Sequence, residues 1–168
     1  EVMAGQGILC RIIHRESPTP LIMYTVAAYG LPYGMAITAS HNPAVYNGIK
    51  VFMEGGRDAD ETLTAAFEGY IRELEGEPVE TVPYEEGLAA GSIQLIDPMN
   101  DYIDSILSFI DINAIKAKKL KILLDPMFGV SKTSLQTILL TCRCDVDVIN
   151  DRHDALFGGR LPSPSAKT

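Results

Sequence analysis

Apolar runs too short for helices alternate along the chain with longer amphipathic segments, a pattern typical of a mixed α/β protein. The short runs predict strands over residues 8–14, 35–38, 49–53, 120–124 and 146–149. The longer segments predict helices over residues 20–29, 60–74, 97–110 and 131–141. The second of these helices has the clearest apolar face, which comprises Leu63, Phe67, Tyr70, Ile71 and Leu74. We therefore expect mixed sheets covered by helices in α/β/α layers.

A change of composition divides this pattern into two parts. Residues 75–91 are rich in proline, glycine and glutamate, which predicts connecting structure with residues 79–82 as a candidate edge strand. We place a domain boundary near residue 96, giving domains 1–96 and 97–168, each too small for a complete doubly wound domain. The chain opens on what reads as the last turn of a helix and ends on a proline- and serine-rich stretch. We therefore expect two incomplete domains with both ends cut.

The composition and net charge limit which kinds of partner the protein can bind and in which compartment it is expected. The chain has 168 residues, a hydrophobic fraction of 46% and a net charge of −8. This charge and the lack of a basic run argue against nucleic acid or an anionic membrane as partner. No apolar stretch approaches the length that spans a bilayer, and no signal peptide is visible. Cys10, Cys142 and Cys144 fit no disulfide or metal pattern, so we expect unpaired thiols in a cytoplasmic protein.

The strongest chemical signal is the segment TASHNP at residues 38–43, followed by YNGIK at residues 46–50. Ser40 falls just past a predicted strand, where α/β sheets hold their ligands. Pro43 fixes its own φ and has no N–H to donate, so the loop must leave the strand direction. An exposed hydroxyl on a stiff turn, with the imidazole of His41 and the amine of Lys50 nearby, indicates phosphoryl transfer.

Other interpretations of these side chains remain open from the residues alone. Taken singly, His41 also suits a loop histidine bonded to backbone, and Lys50 a solvated lysine on a strand edge. A serine hydrolase fits poorly, because there is no G-x-S-x-G elbow and an extended backbone would point the His41 ring away from Ser40. His14 and His153 are available in principle for a triad, but nothing in the sequence ties either to Ser40.

Residues 38–50 closely resemble the phosphoserine loop of the α-D-phosphohexomutases, the family that contains the phosphoglucomutases and phosphomannomutases. The resemblance implies that Ser40 carries the phosphoryl group exchanged with the sugar. It implies that His41 and Lys50 are catalytic and assist proton transfer or stabilise the transferring phosphoryl group. It also implies positions that support the loop or the substrate, namely Thr38, Asn42 and Asn47.

The resemblance further implies a Mg²⁺ ion, held by the phosphate on Ser40 and by an Asp-x-Asp-Gly-Asp loop. This sequence contains no such loop, and we expect its aspartates to lie outside the chain. A cluster of four other aspartates has enough carboxylates for a hard cation. Its spacing is unfavourable, because two of its members flank a valine on a predicted strand and so face solvent. The cluster comprises Asp145, Asp147, Asp151 and Asp154.

Two later segments are also similar to the family. Residues 123–129 look like the strand and glycine turn that open its second domain, with Phe128 where the usual pattern has Gly or Asn. Residues 150–164 resemble the segment that precedes the metal loop. We expect structural rather than catalytic roles for both segments, since glycine and proline mainly shape the backbone.

For function, the resemblance implies interconversion of hexose 1-phosphate and hexose 6-phosphate through phosphoserine at Ser40, with hexose 1,6-bisphosphate as intermediate and activator. Tyr46 stands where phosphoglucosamine mutases usually have Asp, which favours glucose or mannose phosphates. The chain would work with the remaining domains of a longer parent, and alone it is expected to be inactive. The competing hypothesis is a non-catalytic relic of the same fold that binds or senses phosphosugars.

Overall fold

The computed structural model describes residues 1–165 as a mixed α/β structure, as the sequence predicts. The helices are α1 (Val2–Gly5), α2 (Thr19–Ala28), α3 (Glu61–Glu73), α4 (Tyr84–Ala90), α5 (Met99–Phe109), α6 (Ile112–Lys118) and α7 (Lys132–Thr141). The strands are β1 (Cys10–Ile13), β2 (Tyr33–Ile37), β3 (Ile49–Met53), β4 (Arg57–Asp58), β5 (Ile93–Ile96), β6 (Lys121–Leu124) and β7 (Asp145–Val148). Short 3₁₀ turns occupy Glu54–Gly56 and Phe157–Gly159.

The chain folds as two compact units, each built from two stretches of sequence. Unit 1 comprises residues 1–16 and 59–98, and unit 2 comprises residues 17–58 and the chain from residue 99 onward. The domain boundary that the sequence suggests near residue 96 stays a prediction. Within residues 1–165, no helix is both long enough and apolar enough to cross a membrane.

Unit 1 is organised around the parallel pair β1–β5, in which Cys10 lies opposite Ile93. Ile93 is buried and packs against α4 at Gly87, where a Cβ would come within 2.6 Å of the Ile93 Cδ1 atom. Glycine at this position therefore lets the helix approach the strand closely. The carboxyl ends of the two strands are tied by an ion pair of 2.6 Å between Arg15 and Asp97.

Unit 2 contains the antiparallel sheet β2–β3–β4, which packs on α2. Its core is formed by Val26 from the helix and by Ala36 and Phe52 from the sheet, all of them buried. Phe52 lies opposite Gly34 in the register, and a Cβ on Gly34 would come within 2.4 Å of the Val26 Cγ2 atom. The small residues at positions 34 and 36 therefore make room for the helix and for the Phe52 ring.

Unit 2 also contains the parallel pair β6–β7, joined by the crossover helix α7. Leu124, Cys142 and Cys144 are buried around this pair, and all three cysteines of the chain are free thiols. Helix α5 packs on both α2 and α7, and the rings of Tyr24 and Tyr102 meet at 5.7 Å between centroids. One helix layer thus runs behind the β2–β3 sheet and the β6–β7 pair.

Several local predictions are wrong. Residues 79–82 form no strand, while the stretch expected to be connecting structure contains α4, and β5 and α6 follow without having been predicted. Helix α3 begins where expected, with Asp60 as its N-cap accepting the Leu63 N–H at 2.9 Å. The predicted helix is therefore present, but its apolar face is not covered: no residue of this fully described helix is buried, and Ile71 is 69% exposed.

Candidate functional site

The loop that contains Ser40 connects β2 to β3 and is closed at its neck by the sheet itself. Beyond the last register pair, Ile37 with Ile49, the Thr38 N–H donates to the Gly48 carbonyl oxygen at 2.9 Å. The ladder therefore continues one residue past β2, and Ser40 lies two residues beyond this tie. The residues from Ser40 to Lys50 are all exposed, so the loop presents its side chains to solvent from a fixed base.

Ser40 adopts a left-handed backbone conformation with φ 57°, which costs an L-residue with a side chain roughly 1–2 kcal/mol. Its N–H donates to the Thr38 hydroxyl oxygen at 3.0 Å. Its own hydroxyl lies 3.2 Å from Nδ1 of His41. The expectation that the His41 ring points away from Ser40 is therefore wrong, because it assumed an extended backbone. No pattern in the sequence signals a positive φ at a serine.

Hydrogen bonds within the loop hold the rest of its path. The Asn42 N–H donates to the Ala39 carbonyl at 3.0 Å, and the Tyr46 N–H donates to the Pro43 carbonyl at 3.0 Å. The Asn47 side chain accepts the Gly48 N–H at 2.9 Å. Two successive turns thus lead from the serine back to β3. Thr38 and Asn47 thus both form hydrogen bonds within the loop, and the supporting role that the resemblance implies for them stays a prediction.

Lys50 lies in β3 directly opposite Ala36. Opposed residues of an antiparallel pair share one face of the sheet, as do alternate residues of one strand. Lys50 and Thr38 are therefore diagonal neighbours on the same face, at the end of the sheet that carries the loop. The loop and the strand register thus place a hydroxyl, an imidazole and an exposed amine at one end of the sheet.

The four aspartates considered as a metal cluster do not gather. Three of them have separate basic partners: Asp145 lies 4.0 Å from Lys121, Asp151 lies 3.6 Å from Lys132, and Asp154 lies 3.3 Å from Arg152. Asp147 is exposed on β7. Over residues 1–165, no group of three His, Cys, Asp or Glu side chains is arranged to hold a metal ion. The aspartates that the resemblance assigns to Mg²⁺ are not among the described residues.

Asp154 instead organises the loop that follows β7. The N–H of Leu156 donates to its Oδ1 atom at 3.0 Å and lowers the pKa of the carboxyl, and the Gly158 N–H and Arg152 lower it further against the opposing effect of desolvation. The loop therefore favours the ionised carboxylate. Asp154 thus stabilises its own loop, while the expectation of structural roles for residues 150–164 as a whole stays a prediction.

Two family models match the chain. The model described as phosphoglucomutase/phosphomannomutase, alpha/beta/alpha domain I, matches residues 1–77, and the corresponding domain II model matches residues 100–168. Among solved structures, a protein of the phosphomannomutase type from Thermus thermophilus has a TM-score of 0.82 at 23% identity, covering 98% of this chain and 36% of that one. At this identity the likeness shows the fold.

Relatives by sequence carry two kinds of name. A phosphoglucosamine/phosphogalactosamine mutase of Sulfurisphaera tokodaii is 33% identical over 154 residues, which cover 89% of this chain and 32% of that protein. A phosphoglucomutase/phosphomannomutase of Thermococcus kodakarensis is 30% identical over 150 residues, covering 89% and 31%. The chain spans about a third of the length of these relatives. Taken with the two domain models that together cover most of its residues, they show that this chain belongs to the phosphoglucomutase/phosphomannomutase family, the α-D-phosphohexomutases.

Proposed function

We propose that this chain carries the phosphoserine loop of a phosphohexomutase, in which Ser40 gives a phosphoryl group to a hexose monophosphate and takes one back from the bisphosphorylated sugar. The observation that supports this most directly is the display of the Ser40 hydroxyl on a left-handed residue, 3.2 Å from the His41 imidazole. Phosphoryl transfer depends mainly on positioning and on stabilising spread negative charge. The closed loop neck supplies the positioning.

The proposed transfer exchanges one bond between phosphorus and oxygen for another. The bond between phosphorus and Ser40 Oγ breaks while a bond forms between phosphorus and a sugar hydroxyl oxygen. The sugar hydroxyl gives up its proton, and the departing Ser40 oxygen gains one. His41, within hydrogen-bond distance of that oxygen, returns the proton to Ser40.

The second proton site is assigned to Lys50. On the same sheet face as Thr38, it either takes the proton of the sugar hydroxyl or offsets the charge of the transferring group. In the return half-reaction the bisphosphorylated sugar delivers its other phosphoryl group to Ser40, and each proton moves in the opposite direction. Hexose 1-phosphate and hexose 6-phosphate are thereby exchanged.

The proposed cofactor is Mg²⁺, to which a phosphate on Ser40 would contribute oxygen ligands. The ion would offset the phosphate charge when bound. Over residues 1–165 no group of three His, Cys, Asp or Glu side chains is arranged to complete its coordination.

Glucose and mannose phosphates are the proposed substrates. Their support is Tyr46, which replaces the aspartate usual in phosphoglucosamine mutases. Several relatives at similar identity are nonetheless named phosphoglucosamine mutases, so an amino group at the sugar C2 atom is the alternative to test. The assay should therefore compare glucose, mannose and glucosamine 1-phosphates at equal concentration.

The decisive experiment is phosphopeptide mapping of the full-length protein after incubation with glucose 1,6-bisphosphate and Mg²⁺. We expect stoichiometric phosphate on Ser40 that is discharged by adding hexose monophosphate, and none on Ser40→Ala. Ser108→Ala is a matched control, since Ser108 is an exposed serine whose hydroxyl donates to the Ser105 carbonyl. An unmodified Ser40 in folded, metal-supplied protein would refute the mutase proposal and favour the phosphosugar-binding relic.

A further inference from the structure

Asn47 holds its side-chain amide against the nitrogen atom that follows it in the chain. The Gly48 N–H donates to Oδ1 of Asn47 at 2.9 Å, so the carbonyl group of this side chain already faces the Gly48 nitrogen. Both residues are exposed, which gives water free access to them. Asparagine is a thermolabile side chain. The loop thus brings together an amide carbon, a neighbouring main-chain nitrogen and solvent.

Glycine at position 48 leaves the approach to that amide carbon open. Because Gly48 has no Cβ, no side chain of its own shields its nitrogen from Asn47. The loop also favours glycine at this position, since a Cβ would lie only 3.3 Å from the Thr38 carbonyl oxygen. The packing that closes the loop neck therefore retains the residue that leaves Asn47 open to attack.

Other asparagines of the chain lack this combination, since only the one at position 47 precedes glycine. Asn42 lies in the same exposed loop, but it is followed by Pro43, whose ring nitrogen carries no hydrogen to lose. Asn113 lies in α6, where the next N–H, that of Ala114, donates to the Asp111 carboxylate at 2.9 Å. The chain therefore supplies its own controls for the behaviour of asparagine at position 47.

We propose that Asn47 is a site of spontaneous deamidation, at which the folded loop converts the side-chain amide to a carboxylate without an enzyme. In the first step the Gly48 nitrogen forms a bond to Cγ of Asn47, while the bond from Cγ to the side-chain nitrogen breaks. The proton of the Gly48 N–H passes to that side-chain nitrogen, which leaves as ammonia. The product is a cyclic succinimide that joins residues 47 and 48.

Water then opens the succinimide at either of its carbonyl carbons. When water adds to Cγ, the bond from Cγ to the Gly48 nitrogen breaks and position 47 becomes aspartate. When water adds to the main-chain carbonyl carbon of residue 47, the bond from that carbon to the Gly48 nitrogen breaks and isoaspartate forms. In isoaspartate the main chain runs through Cγ and is longer by a methylene group. Water is the co-reactant, and no atom is oxidised or reduced.

The two products differ in their effect on the loop neck. Aspartate keeps an oxygen that accepts the Gly48 N–H and adds a negative charge to the loop. Isoaspartate also lengthens the main chain directly before Gly48, whose carbonyl oxygen accepts the Thr38 N–H at 2.9 Å. The longer chain displaces this tie and, with it, the fixed base from which Ser40 is displayed. The deamidation itself is independent of the proposed function; its consequence, loss of phosphoryl transfer at Ser40, rests on that function.

The test is prolonged incubation of the folded full-length protein at mildly alkaline pH, where the Gly48 nitrogen loses its proton more readily, followed by peptide mass mapping. We expect the peptide that contains residues 38–50 to gain the mass difference between an amide and a carboxylic acid, located at residue 47, and to separate into two isomers. Asn42 in the same peptide should keep its amide. Asn47→Gln can close only a larger ring and should abolish the early conversion. Conversion at Asn42 or Asn113 as fast as at Asn47 would overturn the proposal, as would an intact Asn47 in folded protein while the denatured chain deamidates.

A second measurement separates this proposal from the proposed mutase function. The incubated protein is treated with glucose 1,6-bisphosphate and Mg²⁺, and phosphate on Ser40 is compared among peptides with asparagine, aspartate or isoaspartate at position 47. We expect the isoaspartate peptide to lose the phosphate that the asparagine peptide carries, and Asn47→Asp isolates the effect of the added charge. Equal phosphate on all three peptides would refute the effect on the loop. Deamidation at Asn47 with an unphosphorylated Ser40 in every peptide would sink only the mutase function.

Discussion

At the scale of single residues, the candidate site depends on backbone groups as much as on side chains. Thr38 accepts the Ser40 N–H, while its own N–H closes the loop neck. The supporting position of Thr38 is implied by the resemblance to the family loop, and the motif around Ser40 can be recognised from residue types alone. The hydrogen bond between Ser40 and His41 cannot be predicted from the sequence. It depends on a left-handed backbone conformation at Ser40, which local propensity disfavours. The types of side chain at the candidate site could thus be predicted from the sequence, whereas the orientation of the His41 ring toward Ser40 could not.

Replacing the Thr38 hydroxyl should impair transfer without unfolding the protein. In Thr38→Val the Ser40 N–H loses its acceptor, and a hydrogen bond of this kind contributes about 0.5–1.5 kcal/mol. We expect the turnover number for hexose phosphate to fall up to about tenfold with little change in KM. Thr38→Ser keeps the hydroxyl and should behave like the natural protein. Equal rates for Thr38→Val and the natural protein would contradict a positioning role.

Acid should loosen the loop around Asp154. Its carboxyl has a pKa below the ordinary value of 3.8 because the Leu156 N–H, and then other donors, favour the ionised form. The stabilisation is therefore fully present above that value and is lost as the pH falls through the lowered pKa. We expect the amide signals of Leu156 and Gly158 to move toward random-coil positions at low pH. Asp154→Asn should show no such transition, and identical pH profiles would contradict the assignment.

At the scale of elements, periodicity located most of the helices and strands, and packing decided the rest. Strand β3 has the predicted bounds, and α2, α5 and α7 lie within one or two residues of theirs. Strand β5 has no clear signal in the sequence, because proline and glycine flank it and its partner β1 is distant along the chain. The spacing of apolar residues predicts the apolar face of α3. Spacing indicates that a helix is amphipathic, but it does not indicate which part of the protein packs against that face.

The turn after β3 offers a matched pair of glycines for testing how α2 is held. Gly55 and Gly56 both have positive φ, but only at Gly56 would a Cβ meet backbone, 2.2 Å from the Met23 carbonyl oxygen. In both alanine variants the left-handed backbone conformation costs roughly 1–2 kcal/mol of stability. Gly56→Ala should be less stable than Gly55→Ala by a further 1–3 kcal/mol or so, because it overpacks the contact with α2. Urea unfolding measures both, and equal midpoints would contradict this account of the packing.

At the scale of the whole molecule, charge is distributed unevenly between the two units. Unit 1 contains twelve carboxylates against three arginines, a formal charge of −9, which leaves +1 of the total of −8 for unit 2. Composition alone gives only the net charge of the whole chain. How that charge divides between the units depends on which stretches of sequence fold together. The family fold was predictable because its motifs span the chain, whereas this grouping of residues was not.

Low salt should therefore weaken unit 1 selectively. Repulsion among its carboxylates is screened over about 10 Å at 0.1 M salt and acts over longer distances in dilute buffer. We expect amide hydrogen exchange in residues 59–98 to slow when salt rises from about 0.01 to 0.15 M. The β2–β3 sheet of unit 2 serves as the internal control. Equal responses in both units would contradict the electrostatic explanation.

The pairing of β1 with β5 sets an order of events during synthesis. Cys10 and Ile93 pair across the whole of the sequence that lies between the two strands, so the first strand leaves the ribosome long before its partner exists. At about 5–20 residues per second, this interval lasts on the order of ten seconds. During that time the β2–β3 hairpin, whose strands are close in sequence, has both partners available. Both strands that carry the Ser40 loop are therefore available to pair before β1 can meet β5.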